Sequence, residues 1–119
     1  MNVLVVDDNA TNRMLICMMS EDLGWSCSEA ENGSEAIAKL PLQPIDVMLL
    51  DISMPGMSGD EVCRRIKSDP HLPQPRIVAF TAHVFPDEIK TIMSAGFDAF
   101  LFKPFTEEQL RQVVLNIEG

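Results

Sequence analysis

The chain has 119 residues, 46% of them hydrophobic and 23% charged, a balance that fits one ordinary folded domain and excludes disordered and fibrous classes. A chain of this length buries about two thirds of its unfolded surface, enough for one core without staples. The formal net charge of −9 works against binding phosphate backbones or anionic lipid, which excludes a direct nucleic-acid reader and contact with a membrane.

Residues 2–6 are a short apolar run that reads as a first strand, and no charged-then-apolar leader stands before it, so an unexported, cytoplasmic protein is expected. Asn9 reads as the N-cap of a first helix over about 10–23, stopped by Gly24. This helix holds the longest apolar run, six residues from Met14 to Met19, where a membrane span needs about twenty. A helix lying on a sheet shows an apolar stripe, yet this run is apolar all round, so part of it must face outward. Met14 and Met18 are therefore expected to form an adaptable docking patch. Cys17, Cys27 and Cys63 are odd in number and far apart in sequence, without a C-x-x-C pair; they are expected as reduced thiols and offer no zinc site.

A second strand is expected over 25–30, and a second helix over about 33–40, cut short by Pro41 and Pro44. A third strand covers 46–50. Ser58 and Glu61 then make an S-x-x-E pattern that predicts a capping box opening a helix to about Lys67, with Arg64, Arg65 and Lys67 on its solvated face. Pro70, Pro73 and Pro75 punctuate the loop before a fourth strand over 76–80. Pro86, Asp87 and Glu88 read as the first turn of a fourth helix ending at Gly96. A fifth strand over 98–102 precedes a last helix to about residue 117, opened by the T-x-x-Q pattern of Thr106 and Gln109.

The strands start 23, 21, 30 and 22 residues apart, too far for hairpins and right for strand–helix–strand units. The first, third and fourth are nearly continuous apolar runs, as strands covered on both faces are. The expected fold is therefore α/β, a doubly wound parallel (βα)5 sheet with strand order 2-1-3-4-5, forming a single domain over 1–119. Ligands of such sheets sit beyond the carboxyl ends of the strands. There the sequence places Asp7 and Asp8 after the first strand, Asp51 after the third, Thr81 after the fourth and Lys103 after the fifth. Crowded acids raise one another's pKa unless a cation joins them, and hard oxygen ligands in a partly hydrated site suit Mg²⁺. A carboxylate beside a divalent cation, a lysine and a hydroxyl is equipment for phosphoryl transfer to aspartate, with Asp51 as the nucleophile.

V-D-D-N at 6–9, L-L-D-I-S-M-P-G-M-S-G at 49–59, F-T-A at 80–82 and K-P-F at 103–105 resemble the response-regulator receiver domain over the whole chain, in order and spacing. The resemblance implies a flavodoxin-like fold and a phosphorelay role in two-component signalling. It implies that Asp51 takes a phosphoryl group from a phosphohistidine and that Asp7, Asp8, Asp51 and the Ser53 carbonyl hold Mg²⁺. It implies that Thr81 and Lys103 contact the phosphoryl group, that Thr81 and Phe100 form a switch, and that the Lys103–Pro104 bond is cis. A histidine kinase or histidine phosphotransfer domain is the implied partner, docking on the first helix. His83 and Ser53 stand where the family tunes self-dephosphorylation.

Read without the family, Phe100 is strand core, His83 an exposed loop residue, and Pro55 and Gly59 are turn chemistry. D-D-N-x-x-N-R over 7–13 is similar to receivers of hybrid histidine kinases, with a stand-alone regulator as the rival. No conventional turnover is expected of the isolated domain; in the hybrid case the parent chain is a histidine kinase, and the output lies outside this sequence. Ala99 and Leu115 replace charged residues of receivers that pair through the fourth helix, fifth strand and fifth helix, so that dimer is not expected. Two other classes use similar residues. A Mg²⁺-dependent phosphatase of the haloacid dehalogenase type needs D-x-D, which Asp51-Ile52-Ser53 lacks, and a binding-only pseudo-receiver has usually lost an acid or the lysine kept here.

Overall fold

A computed structural model describes residues 1–82 and 86–116. Its elements alternate as expected: β1 (Asn2–Val6), α1 (Ala10–Asp22), β2 (Ser26–Ala30), α2 (Gly33–Lys39), β3 (Val47–Asp51), α3 (Gly59–Ser68), β4 (Arg76–Thr81), α4 (Pro86–Met93), β5 (Ala99–Phe102) and α5 (Glu107–Leu115). The five strands form one sheet in the order β2-β1-β3-β4-β5, and every neighbouring pair is parallel. Among the described residues no helix is long and apolar enough to cross a membrane.

Strand alternation sorts the core into two layers, because successive side chains point to opposite faces. Leu4, Val6, Met48, Leu50 and Ile77 face one way and pack with Ala36 and Leu40 near α2 and Val62 and Ile66 of α3. Val3, Val5, Val47, Leu49, Val78, Phe80 and Leu101 face the other way and pack with Ile16 and Cys17 of α1 and Leu110 and Val114 of α5. Both faces of the central strands are thereby covered, which is why their sequences are continuous apolar runs.

The helix starts test the capping readings one by one. Asn9 caps α1, its side chain accepting from the Asn12 amide at 3.0 Å. Thr106 and Gln109 form the reciprocal capping box of α5, at 3.1 and 2.8 Å. Ser58 is the N-cap of α3 by backbone conformation, but the expected box does not form. Its hydroxyl serves the Asp60 carboxylate, and Glu61 is drawn forward to Arg65 at 3.1 Å. Arg64 pairs likewise with Asp60 at 2.8 Å, so the basic cluster is a solvated face as read. The fourth helix ends at Met93, three residues before Gly96, which still supplies the left-handed turn at φ 101°.

The two edges of the sheet differ in dress. β2 is bounded by side-chain contacts: the Lys39 ammonium donates to the Glu29 carbonyl, Arg13 pairs with the Glu29 carboxylate at 3.1 Å, and Gln43 donates to the Ser28 hydroxyl at 3.0 Å. β5, at the other edge, is four residues long.

The cysteine reading is corrected. Cys17 and Cys27 are joined as a disulfide, with Cα atoms 5.4 Å apart, because α1 lays its inner face directly on β2. Only Cys63 is a free thiol, buried in the opposite layer.

Candidate functional site

Asp7 follows β1 directly, while Asp51 and Thr81 are the last residues of β3 and β4 rather than the first beyond them. The ladders still run through these positions, with Asp51 opposite Phe80 and Thr81 opposite Phe102. Asp51 and Thr81 are therefore set by strand backbone, and all three side chains are buried. Asp8 is exposed beside them, and the nearest carboxylate oxygens of Asp7, Asp8 and Asp51 all lie within 4.8 Å of one another.

The surrounding donors are few and specific. The Asn9 amide donates to Asp7 Oδ1 at 2.9 Å, and the Ser53 amide donates to Asp51 Oδ1 at 3.0 Å. Asp7 Oδ2 is buried without a hydrogen-bond donor; its nearest cation is Lys103 Nζ at 3.7 Å. The Lys103 ammonium also lies 4.6 Å from the centre of the Phe80 ring, within cation–π range. Its backbone N–H donates to the Thr81 carbonyl at 2.9 Å, tying the two strand-end residues together. The Lys103–Pro104 peptide is cis, as the resemblance implies.

Burial, and then the neighbouring Asp7, push the Asp51 carboxyl up to about 6 from its ordinary 3.8, against the lowering effect of the Ser53 amide and Lys103. A group that holds its proton more tightly folded than unfolded stabilises the fold fully below about pH 3.8 and loses that contribution as pH rises through about 6. At neutral pH without metal, the ionised pocket thus costs stability on the order of 3 kcal/mol. Asp51→Asn is expected to melt above wild type at pH 7.5 in a chelator, with the gap closing near pH 4; thermal melts at the two pH values check this.

The donor set fits a hard divalent cation. Three carboxylates converge, one buried oxygen has no hydrogen-bond donor, and neither thiolate nor imidazole stands among the three acids. Ser53, expected to offer its carbonyl, is exposed on the loop just after Asp51.

The remaining predicted residues lie apart from this cluster. Phe100 is half-buried on β5, its ring centre 6.0 Å from that of Phe97. Met14 and Met18 are 52% and 57% exposed on α1, so the all-round apolar run does turn outward. Leu15, 47% exposed, shares that surface and was not singled out by the sequence reading. With Met19 and Phe105 it lines an open cavity of about 250 Å³ that reaches Lys103. His83 lies outside the described residues.

Two positioning groups escaped sequence reasoning. Arg13 donates to the Asp7 carbonyl at 2.7 Å while pairing with Glu29. Its place four residues after the N-cap, one helical turn on, is the signal that could have found it. Phe80 looked like core, and nothing in its run marks a ring under the lysine. Gly59 is a different correction. Its role is close approach, since a Cβ there would meet the Asp51 carbonyl oxygen at 2.4 Å and Ile52 Cα at 2.8 Å. The turn itself is made at Gly56, φ 80°.

Comparison with known proteins agrees with this geometry. The family model of the response regulator receiver domain matches residues 3–115. The chain is 39% identical over 120 residues to the sensor histidine kinase GacS of Pseudomonas protegens, covering 98% of this chain and 13% of that protein. It is 35% identical over 116 residues to the signal transduction histidine-protein kinase BarA of Escherichia coli K12, again covering 98% of this chain and 13% of the other. The chain thus spans about an eighth of the length of these relatives. Among solved structures it is similar to the receiver domain of a sensor histidine kinase of Pseudomonas aeruginosa PAO1, described with magnesium in its active-site cleft. The TM-score is 0.87 at 26% identity, over 97% of this chain and 94% of that one. With the strand order, the acidic cluster and a family match over nearly its whole length, the chain belongs to the response regulator receiver domain family.

Proposed function

We propose that residues 1–119 form a single receiver domain whose phosphoacceptor is Asp51, working with Mg²⁺ held by Asp7, Asp8, Asp51 and the Ser53 carbonyl. The observation that carries this reading is the convergence of three carboxylates within 4.8 Å, one of them 3.7 Å from the Lys103 ammonium. In the transfer, an Asp51 carboxylate oxygen forms the new P–O bond as the P–N bond to the donor histidine breaks, and the imidazole keeps the leaving electron pair. Bound Mg²⁺ supplies charge neutralisation for the acids and for the phosphoryl oxygens. Lys103 and the Thr81 hydroxyl each contact a phosphoryl oxygen, and the Thr81–Lys103 backbone bond holds them in step. Thr81 and Phe100 are the switch elements that report the modification.

Intact mass after incubation with acetyl phosphate tests the reading. One phosphoryl adduct is expected with Mg²⁺ and none with a chelator; an adduct that forms equally without metal would overturn it.

The donor is a histidine kinase or a histidine phosphotransfer domain, and the domain belongs to a cytoplasmic hybrid histidine kinase. Similarity to GacS and BarA supports this origin over a stand-alone regulator. Met14 and Met18, joined by Leu15, form the docking patch on α1, continuous with the apolar cavity that reaches Lys103. Charging both methionines as Glu is expected to slow transfer from a phosphorylated histidine phosphotransfer domain about tenfold. The acetyl phosphate adduct should be unchanged in that double variant, since the small donor needs no docking surface.

A further inference from the structure

Two cysteines ten residues apart in sequence are brought face to face by the packing of α1 on β2, and the receiver chemistry uses neither. Cys17 lies on the inner side of α1 among the apolar residues of that layer. Cys27 is the second residue of β2, opposite Val3 in the ladder. The Cα separation of 5.4 Å falls inside the span a disulfide requires. Cys63 is not a competitor, because it is fully buried across the sheet and its thiol donates to the Ala95 carbonyl at 3.4 Å.

The two sulfurs differ in access. Cys17 is 8% exposed beneath α1, whereas Cys27 is half-buried on the edge strand β2. A small thiol approaching the sheet edge meets Cys27 first. Where glutathione keeps thiols reduced, a disulfide is transient and serves exchange or sensing rather than scaffolding.

We propose that Cys17 and Cys27 are a reversible redox modification site, exchanged with low-molecular-weight thiols of the glutathione class through Cys27. In reduction, a thiolate attacks the Cys27 sulfur, the S–S bond breaks, and Cys17 leaves with the electron pair and takes up a proton. A second thiolate then attacks the thiol's own sulfur in the mixed disulfide, releasing Cys27. Two external thiols thus become one disulfide, and the protein disulfide becomes two thiols. Oxidation by glutathione disulfide is the reverse.

The oxidised pair pins the middle of α1 to the edge strand and leaves the acceptor pocket alone. Cys27 is level with Val3, four residues before Asp7, or about 13 Å along the strand. Closing so short a loop removes freedom from the unfolded chain, so the oxidised form is expected to melt about 10 °C above the reduced form. The extent of modification by acetyl phosphate with Mg²⁺ should be the same in both.

The experiment is a titration of the whole wild-type chain in buffers of varied reduced and oxidised glutathione ratio, quenched by alkylation and read by intact mass and peptide mapping. The expected result is one reversible transition to a monomer lacking two hydrogens, with Cys17 and Cys27 protected together. Cys17→Ser should collect a mixed disulfide on Cys27, and Cys27→Ser should leave Cys17 unmodified. A wild-type monomer that stays reduced at every ratio would overturn the proposal, and this arm needs no variant to fold. Modification of Cys17 in Cys27→Ser as fast as Cys27 in Cys17→Ser would overturn the assignment of the entry sulfur.

Discussion

Asp51→Asn is expected to abolish the phosphoryl adduct, with a loss of at least about a hundredfold in the rate from acetyl phosphate or from a phosphohistidine donor. The substitution keeps the shape of the side chain and an oxygen that can accept from the Ser53 amide, which donates to Asp51 at 3.0 Å. The fold therefore has no reason to fail, and the metal-free variant should be the more stable protein at neutral pH. What is lost is the anionic oxygen that forms the P–O bond. Neither neighbouring acid can stand in for it. Asp7 is fully buried, with one oxygen held by the Asn9 amide and the other turned to Lys103, while Asp8 lies exposed at the mouth. Intact mass of the variant beside wild type is the measurement. An adduct on the variant, mapped to Asp7 or Asp8, would move the acceptor and sink the assignment.

Gly59→Ala is expected to cost about 3 kcal/mol or more of stability, lowering the melting temperature by about 10 °C or more. Taken alone, alanine inside a helix gains about 1 kcal/mol over glycine. Here that gain is overwhelmed, because the added carbon would sit 2.4 Å from the Asp51 carbonyl oxygen and 3.0 Å from its carbonyl carbon. Backbone of a central strand cannot swing aside as a side-chain tip can. Gly33→Ala is the informative control. Its new carbon would meet Val62 Cγ2, also at 2.4 Å, but a side chain is the obstacle there. The melt should rank wild type above Gly33→Ala and Gly33→Ala above Gly59→Ala. Because the strand that Gly59 presses on ends in Asp51, Gly59→Ala should also lose phosphorylation under conditions where Gly33→Ala keeps it. A melting temperature for Gly59→Ala within two or three degrees of wild type, on the order of 0.5 kcal/mol, would show that α3 can shift freely.

The strands were legible because a parallel sheet covered on both faces writes itself as apolar runs, and β1 matches its sequence-derived bounds at both ends. β2 reads less clearly because it lies at an edge: Ser26 and Glu29 are exposed, and the strand begins one residue later than its composition suggests. The site was legible because its residues cluster at strand ends, so topology alone converts sequence spacing into proximity. What stayed hidden depends on contacts between elements that no local pattern encodes. The Cys17–Cys27 pair needs the docking of α1 on β2, and Gly59 needs the approach of α3 to the Asp51 backbone. Ser58 caps α3 by backbone alone, because Glu61 is drawn forward to Arg65, a competition the S-x-x-E pattern does not show.

An open sheet has two rims, and every unpaired amide or carbonyl on a rim is an invitation to a strand from another molecule. In this domain the β2 rim is partly closed by its own side chains: the Lys39 ammonium occupies the Glu29 carbonyl, and Arg13 and Gln43 crowd the same strip with charge and amide. The β5 rim protects itself by brevity, at four residues. Colloidal restraint is thus built into the rims rather than left to net charge alone.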